Sequence, residues 1–345
     1  MENPSESRSR RLEDYVLGAC AAPAEGDLPA FLEKFRQEGG SALLAVIYYG
    51  SCFSGAGRHA SSMYDFFLVV ENYRAFHRSA FHALLNVVVP PNLYHLRMPD
   101  PAHPGRTLSA KYNVIRLDRL EQETGFDAHD HYFIGRLCQR TGVLWVRDEE
   151  VRRRLARCTL EAARRSAAIA LPSMEPVREF SVRDFVTKFL EISYASDTRI
   201  EGRRKVEAIW NAAPDFYETL FGGVLEELTE GERPSLAGAG GGKYRSVLSE
   251  DARRGLEERD RAFLRRSKWK TIPRWAKHLL TFREPVQYLL SKYERHAGHP
   301  LELTPLQQRW PLIFGWPALF RALRERLPEA GGSAGPALEK PKDEK

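Results

Sequence analysis

Gly50 and Ser51 close an apolar run, Ala42 to Tyr49, and thirteen residues separate Ser51 from Asp65, near the start of a second apolar run, Met63 to Val70. These residue types suit nucleotidyl transfer from a nucleoside triphosphate. A tight Gly-Ser turn lets backbone N–H groups and a small hydroxyl grip the β- and γ-phosphates. A carboxylate at the edge of the next strand can hold Mg²⁺ against the α-phosphate, where the metal neutralises developing charge. By itself a Gly-Ser turn between strands is also an ordinary connection, so the spacing nominates a site without specifying it.

The elements that must position these residues follow from the pattern around them. Residues 9–38 read as two helices, the second opened by Asp27 with Pro29 in its first turn. The runs 42–49 and 63–70 are apolar and partly β-branched, as buried strands are. A helical stretch carries Phe76 and His77, and two further strands, Leu93 to Leu96 and Ala110 to Leu117, flank a Pro-rich loop. Strands alternating with helices predict an α/β or α+β domain over residues 1–125. From about residue 127 the apolar spacing turns helical, giving a helical second domain over 126–230. Residues 231–248 read as a flexible Gly-rich loop, 249–327 as a basic helical region and 328–345 as a disordered tail.

The strand–Gly-Ser–strand–Asp arrangement is similar to that of the polymerase-β-like nucleotidyltransferases, which implies an α+β fold with a small mixed sheet. Their common pattern carries a second carboxylate two residues after the first, where this chain has Phe67. Another metal ligand would then come from Glu71, Asp118 or water. Five ordered blocks narrow the resemblance: IYYGSCF, MYDFFLVVENYRAFH, KYNVI, DHYFIGRL and ISYASDTRIEGRRKV. Over about residues 42–228 the chain resembles the mitochondrial-type phosphatidate cytidylyltransferases, the translocator assembly and maintenance proteins, which also lack the second carboxylate. The resemblance implies a CDP-diacylglycerol synthase of phospholipid and cardiolipin biosynthesis. CTP and phosphatidate would be its substrates, and Mg²⁺ its metal.

Carried over by residue, the resemblance assigns Gly50 and Ser51 to the triphosphate and Asp65 to Mg²⁺. It places Lys111 and Tyr112 at the nucleotide, Lys111 as a compact charge on a phosphate. The plain alternative for Lys111 is a strand-end lysine in solvent. Asp197, Arg199 and Lys205 match a later acidic-basic block, in which Arg199 would grip a phosphate through two N–H groups. An exposed ion-pair cluster is the alternative there. His77 matches a family histidine and is a secondary candidate, with Phe76 replacing a tryptophan. Cys52 and Asn113 replace two family glycines.

One motif misleads. GAGGGK, Gly238 to Lys243, resembles a phosphate-binding loop, but Ala237 stands where glycine is required and Tyr244 where Ser or Thr is.

The chain has 345 residues, and 52 Lys+Arg against 46 Asp+Glu give a net charge of +6, which favours an anionic partner. Much of that charge lies at residues 265–295 beside Trp269, Trp275, Leu279, Leu280 and Phe282, a composition suited to an anionic membrane surface. An ordinary helical subdomain with its aromatics inward is the alternative. The longest nearly uncharged apolar run, Pro311 to Phe320, is about half a membrane span. The N-terminal MENPSESRSRR reads as neither a secretory signal nor a transit peptide. The expectation is a peripheral enzyme on the cytoplasmic face of a bacterial inner membrane or the matrix face of a mitochondrial one. No RNA-binding module is visible, so nucleic acid is not an expected partner. The competing readings are a nucleotidyltransferase with an RNA, protein or small-molecule acceptor, and a non-catalytic, membrane-docked assembly factor of the same fold.

Overall fold

In chain order, helices α1 (Pro4–Ala19) and α2 (Leu28–Gly39) precede strand β1 (Leu43–Tyr49), the short helix α3 (Ser51–Ser54) and β2 (Tyr64–Val70). Next come α4 (Tyr73–His77), α5 (Ala80–Val88), β3 (Asn92–Pro99), β4 (Thr107–Arg116), α6 (Leu117–Thr124), α7 (Ile134–Leu137) and β5 (Gly142–Val146). The remainder is α8 (Glu149–Ala170), β6 (Phe180–Ser181), α9 (Val182–Ser196), α10 (Arg203–Ala212), α11 (Pro214–Glu227), β7 (Leu236–Gly240), β8 (Lys243–Ser246) and α12 (Glu250–Thr281). This computed structural model describes residues 4–55, 63–175, 178–196, 203–230 and 234–281, with Thr304, Leu306 and Gln307. Residues 1–282 form one compact unit and 283–345 a second.

Local chemistry starts the helices where they start. Asn72 accepts hydrogen bonds from the Arg74 and Ala75 N–H groups at the head of α4, and Ser79 accepts one from His82 at the head of α5. Asp148 caps α8 through the Val151 N–H, with Glu149 and Glu150 in the favourable first turn. Ser181 and Asp184 cap α9 reciprocally: each accepts from the other's backbone N–H.

The five-stranded sheet has the order β3-β4-β2-β1-β5 and is mixed: β2 and β4 run parallel, the other neighbours antiparallel. Side chains alternate between its faces. Ile47, Phe67, Val69 and Ile115 face one core, shared with Phe185, Phe189 and Leu220 of the helical half. Val46, Phe66, Leu68 and Val114 face another, covered by Phe31 and Phe35 of α2 and Phe76 of α4. Burial on both faces explains why β1 and β2 are continuously apolar.

Three expectations need correction. Strand β5 lies inside the stretch read as wholly helical and extends the sheet by pairing with β1, while α1 packs on α8 and α11. Gly223 of α11 comes so close to Leu12 of α1 that an added Cβ would sit 2.6 Å from its Cδ2. One face of the sheet and the helical half therefore share a core across residue 125. Second, the described part of the Gly-rich stretch is a hairpin: β7 and β8 pair antiparallel and join β6 in a three-stranded sheet, order β6-β8-β7. Gly240, Gly241 and Gly242, all at positive φ, make its turn, so the glycines of GAGGGK serve backbone geometry.

The third correction concerns α12. Two of its cations read as surface charges are buried instead. Arg274 pairs with Asp130 at 2.8 Å and donates to the Pro90 carbonyl, while Lys277 donates to the Val89 and Pro91 carbonyls. Further up the helix, the Ser267 hydroxyl accepts from the His131 N–H. The face of α12 carrying these residues is fixed onto the loop before β3 and onto the 129–131 segment. No described helix is long and apolar enough to cross a membrane. The expected disordered tail, 328–345, lies outside the described residues, as do Leu279, Leu280 and Phe282 as side chains.

Candidate active site

Strand β1 ends at Tyr49 and the chain turns at Gly50, with φ +82° and ψ −165°. An L side chain rarely adopts that conformation, and there is a second reason for glycine here: an added Cβ would stand 3.0 Å from Oδ2 of Asp65. The turn runs into α3, where Phe53 and Ser54 donate their N–H groups to the Gly50 carbonyl. Ser51 is the first residue of that helical turn. Cys52 is buried and directs its thiol at the Met63 carbonyl, 3.3 Å away, tying the turn to the chain that enters β2.

Asp65 pairs in register with Tyr49 on β1 and with Lys111 on β4. Its Oδ1 lies 3.2 Å from the Lys111 Nζ, and both side chains keep about a fifth to a quarter of their surface exposed. A solvent-accessible pair of this kind adds at most about 1 kcal/mol to folding. It holds a carboxylate and an ammonium side by side, beside a turn cleared of side chain.

Below the pair lies a hydrogen-bonded floor. Buried Asn113 donates to the Tyr49 hydroxyl at 2.8 Å and accepts from the Tyr132 hydroxyl at 3.1 Å. The Tyr49 ring stacks on Phe67 with centroids 4.3 Å apart, and Phe133 packs against the same ring. Phe67 is fully buried. A carboxylate there would enter the core without water or a counter-ion, which accounts for Phe67 in place of a second carboxylate. The Tyr132 ring is flanked by the guanidinium groups of Arg136, 3.7 Å from its centroid, and Arg274, at 4.5 Å.

The last two sequence blocks meet in the same core. The ring Nε2 of His131 lies 2.9 Å from the Ser193 hydroxyl of α9. Gly135 permits the approach, since a Cβ there would fall 2.7 Å from that hydroxyl and 2.9 Å from His131 Nε2.

The structure thus brings Gly50, Ser51, Asp65 and Lys111 together where β1 ends and β2 begins, beside β4, on the interior strands of the sheet. It separates others from them. Tyr112 follows Lys111 on β4 and points to the opposite face, where its ring meets Phe35 edge-on and stacks on Tyr94. His77 belongs to that face too, with Nδ1 3.3 Å from the Tyr94 hydroxyl. Burial, reinforced by nearby His82 and Lys277, pushes its pKa down to about 4. Glu71 and Asp118 lie beyond the far ends of β2 and β4, about 20 Å along the strands from Asp65, and pair with Arg147 and Arg116. Neither can complete a metal site with Asp65. Lys205 is half-exposed on α10, which packs on α9. Asp197 and Arg199 lie outside the described residues.

Among the described residues no three His, Cys, Asp or Glu side chains cluster as a metal cage. The donors fit Mg²⁺ in another manner: one partly exposed carboxylate beside a turn with room for phosphates, the ion taking its other oxygens from substrate and water. Sequence reasoning missed Tyr49, Asn113, Tyr132 and Arg136 as the support of this site. DHYFIGRL held the signal for the last two, as an aromatic and an arginine one helical turn apart. No protein-family model matches the chain, and no curated protein matches it significantly.

Proposed function

We propose that this chain is a nucleotidyltransferase of the polymerase-β-like class, acting as a CTP:phosphatidate cytidylyltransferase. It would transfer CMP from CTP to phosphatidate, giving CDP-diacylglycerol and pyrophosphate at an anionic membrane surface. The observation that carries the reading is the approach of Gly50 to Asp65 and the pairing of Asp65 with Lys111: a side-chain-free turn, a carboxylate and an ammonium together on the interior strands of the sheet. The ordered blocks shared with the phosphatidate cytidylyltransferases supply the choice of substrates.

In this reading the Gly50-Ser51 turn receives the triphosphate, with the Ser51 hydroxyl donating to a phosphate oxygen. Asp65 and the triphosphate would hold Mg²⁺, which supplies charge neutralisation at the α-phosphate. Lys111 then exchanges its carboxylate partner for a phosphate oxygen. A phosphate oxygen of phosphatidate attacks the α-phosphorus in line, and the bond to pyrophosphate breaks on the opposite side. Phosphate monoesters are anionic at neutral pH, so positioning and electrostatics replace a strong general base. Asp197, Arg199 and Lys205 are proposed for the remaining phosphate charge.

Purified protein with CTP, Mg²⁺ and phosphatidate is expected to release pyrophosphate, and Asp65→Ala to lower the rate about 10²- to 10³-fold, the scale of losing a transition-state electrostatic contact. An Asp65→Ala rate equal to wild type would remove the metal assignment.

A further inference from the structure

Helix α5 is anchored on one side and bare on the other. Its Asn86 is buried, donating to the Val114 carbonyl and accepting from the Asn92 N–H, and Ala83 packs beside it. On the outer side Phe81, Leu84, Val87 and Val88 are 56%, 61%, 59% and 67% exposed. Their spacing places them on one ridge of the helix. A ridge of four large apolar side chains on a fixed helix is the kind of surface that monomeric proteins otherwise cover.

The chain segment that carries it has charge of one sign. From Asn72 to Pro99, the chain that builds α4, α5 and β3, there is no Asp or Glu. The same segment exposes Arg74, Arg78 and Arg97. A second segment, Arg261 to Arg283, also lacks acidic residues. Through Arg274 and Lys277 it is tied to the carbonyls of Val89, Pro90 and Pro91, which directly follow the ridge. That part of α12 exposes Arg265, Arg266, Lys268 and Trp269.

We propose that α5 is a lipid-inserting element. Phe81, Leu84, Val87 and Val88 enter the boundary between headgroups and acyl chains of an anionic bilayer, and the flanking arginines and lysines lie on lipid phosphates. A second copy of this chain fits less well, because pairing the ridges would bring two basic rims against each other. The surface rests on the proposed function only for the use of a membrane; ridge and charge stand independently.

The test uses the full chain. Leu84→Cys is labelled with an environment-sensitive dye, the four native cysteines being buried, and mixed with vesicles of phosphatidylcholine, with or without phosphatidylglycerol. Anionic vesicles are expected to shift the dye emission to the blue, and nitroxides on the acyl chains to quench it. Leu84→Asp with Val88→Asp should lower vesicle co-sedimentation about tenfold or more, with melting temperature unchanged. Unchanged sedimentation of that variant, or no vesicle binding by wild type, overturns the proposal. So does a dye already in a dry environment before vesicles are added, or light scattering showing that the variant turns a dimer into a monomer. Transfer of CMP to a short-chain phosphatidate dispersed in solution should survive the double substitution. Its absence in wild type, with vesicle binding as expected, would remove the proposed function and leave the surface standing.

Discussion

Gly50, Asp65 and Lys111 each limit what the others can be. A Cβ at position 50 would meet the Asp65 carboxylate, and that carboxylate is the partner of the Lys111 ammonium. Phe67, one step inward, is locked beneath Tyr49, so a second carboxylate cannot be added without opening the core. Gly50→Ala is expected to abolish CMP transfer while the protein stays folded, at a cost of about 1–3 kcal/mol for a strained backbone. Urea unfolding and the pyrophosphate assay read the two effects separately. His77 acts on stability instead. Its folded pKa is about 4, below the ordinary histidine value of 6.5. As pH falls from 6.5 towards 4 the unfolded chain takes up a proton that the folded chain does not, so stability falls across that window. His77→Gln should flatten the acid limb of the urea midpoint against pH; an unaltered limb would mean that other groups govern it.

At the scale of elements, strand parity decides which residues can share a site. Lys111 and Tyr112 are neighbours on β4, so they face opposite sides of the sheet, and only Lys111 reaches Asp65. That distinction was legible in the sequence once KYNVI was read as a strand. The close approach of α9 to the α7 region depends on Gly135. Alanine normally stabilises a helix over glycine by about 1 kcal/mol. Here Gly135→Ala should instead destabilise by about 1–3 kcal/mol, since its Cβ meets Ser193 and His131. Gly135→Ala with Ser193→Gly should recover part of the loss in thermal melts. Strands β1 and β2 could be read directly because both of their faces are buried. The five-residue β5 escaped notice, as its partner β1 lies far upstream and only tertiary pairing makes GVLWV a strand. The hairpin β7–β8 escaped because its glycines look like a loop while the pairing partner, β6, is two residues long. At the site, Gly50, Ser51 and Asp65 were visible as spacing. The floor of Tyr49, Asn113 and Tyr132 was not, because its hydrogen bonds join three distant segments.

For the whole molecule, α12 fastens the sheet edge to the 129–131 segment through a buried Arg274–Asp130 pair. Arg274→Leu leaves Asp130 buried without its counter-ion and should cost about 3–5 kcal/mol. Asp130→Asn in the same chain should restore part of that, since Asn can still accept from the Tyr132 N–H that Asp130 now receives. A chemical-denaturation series on the three proteins measures this. The fold thus presents the proposed catalytic residues on a sheet with one face packed in a core shared with the helical half, and it carries on α5 an apolar ridge in a chain segment without acidic residues. The central claim is that Asp65 supports transfer of CMP to a lipid phosphate, and the direct measurement follows the label of CTP carrying ³²P at the α-phosphate. With phosphatidate vesicles and Mg²⁺, wild type is expected to move the label into the organic phase and Asp65→Asn to leave it in water. Label that stays aqueous with wild type, or moves equally with Asp65→Asn, would contradict the account.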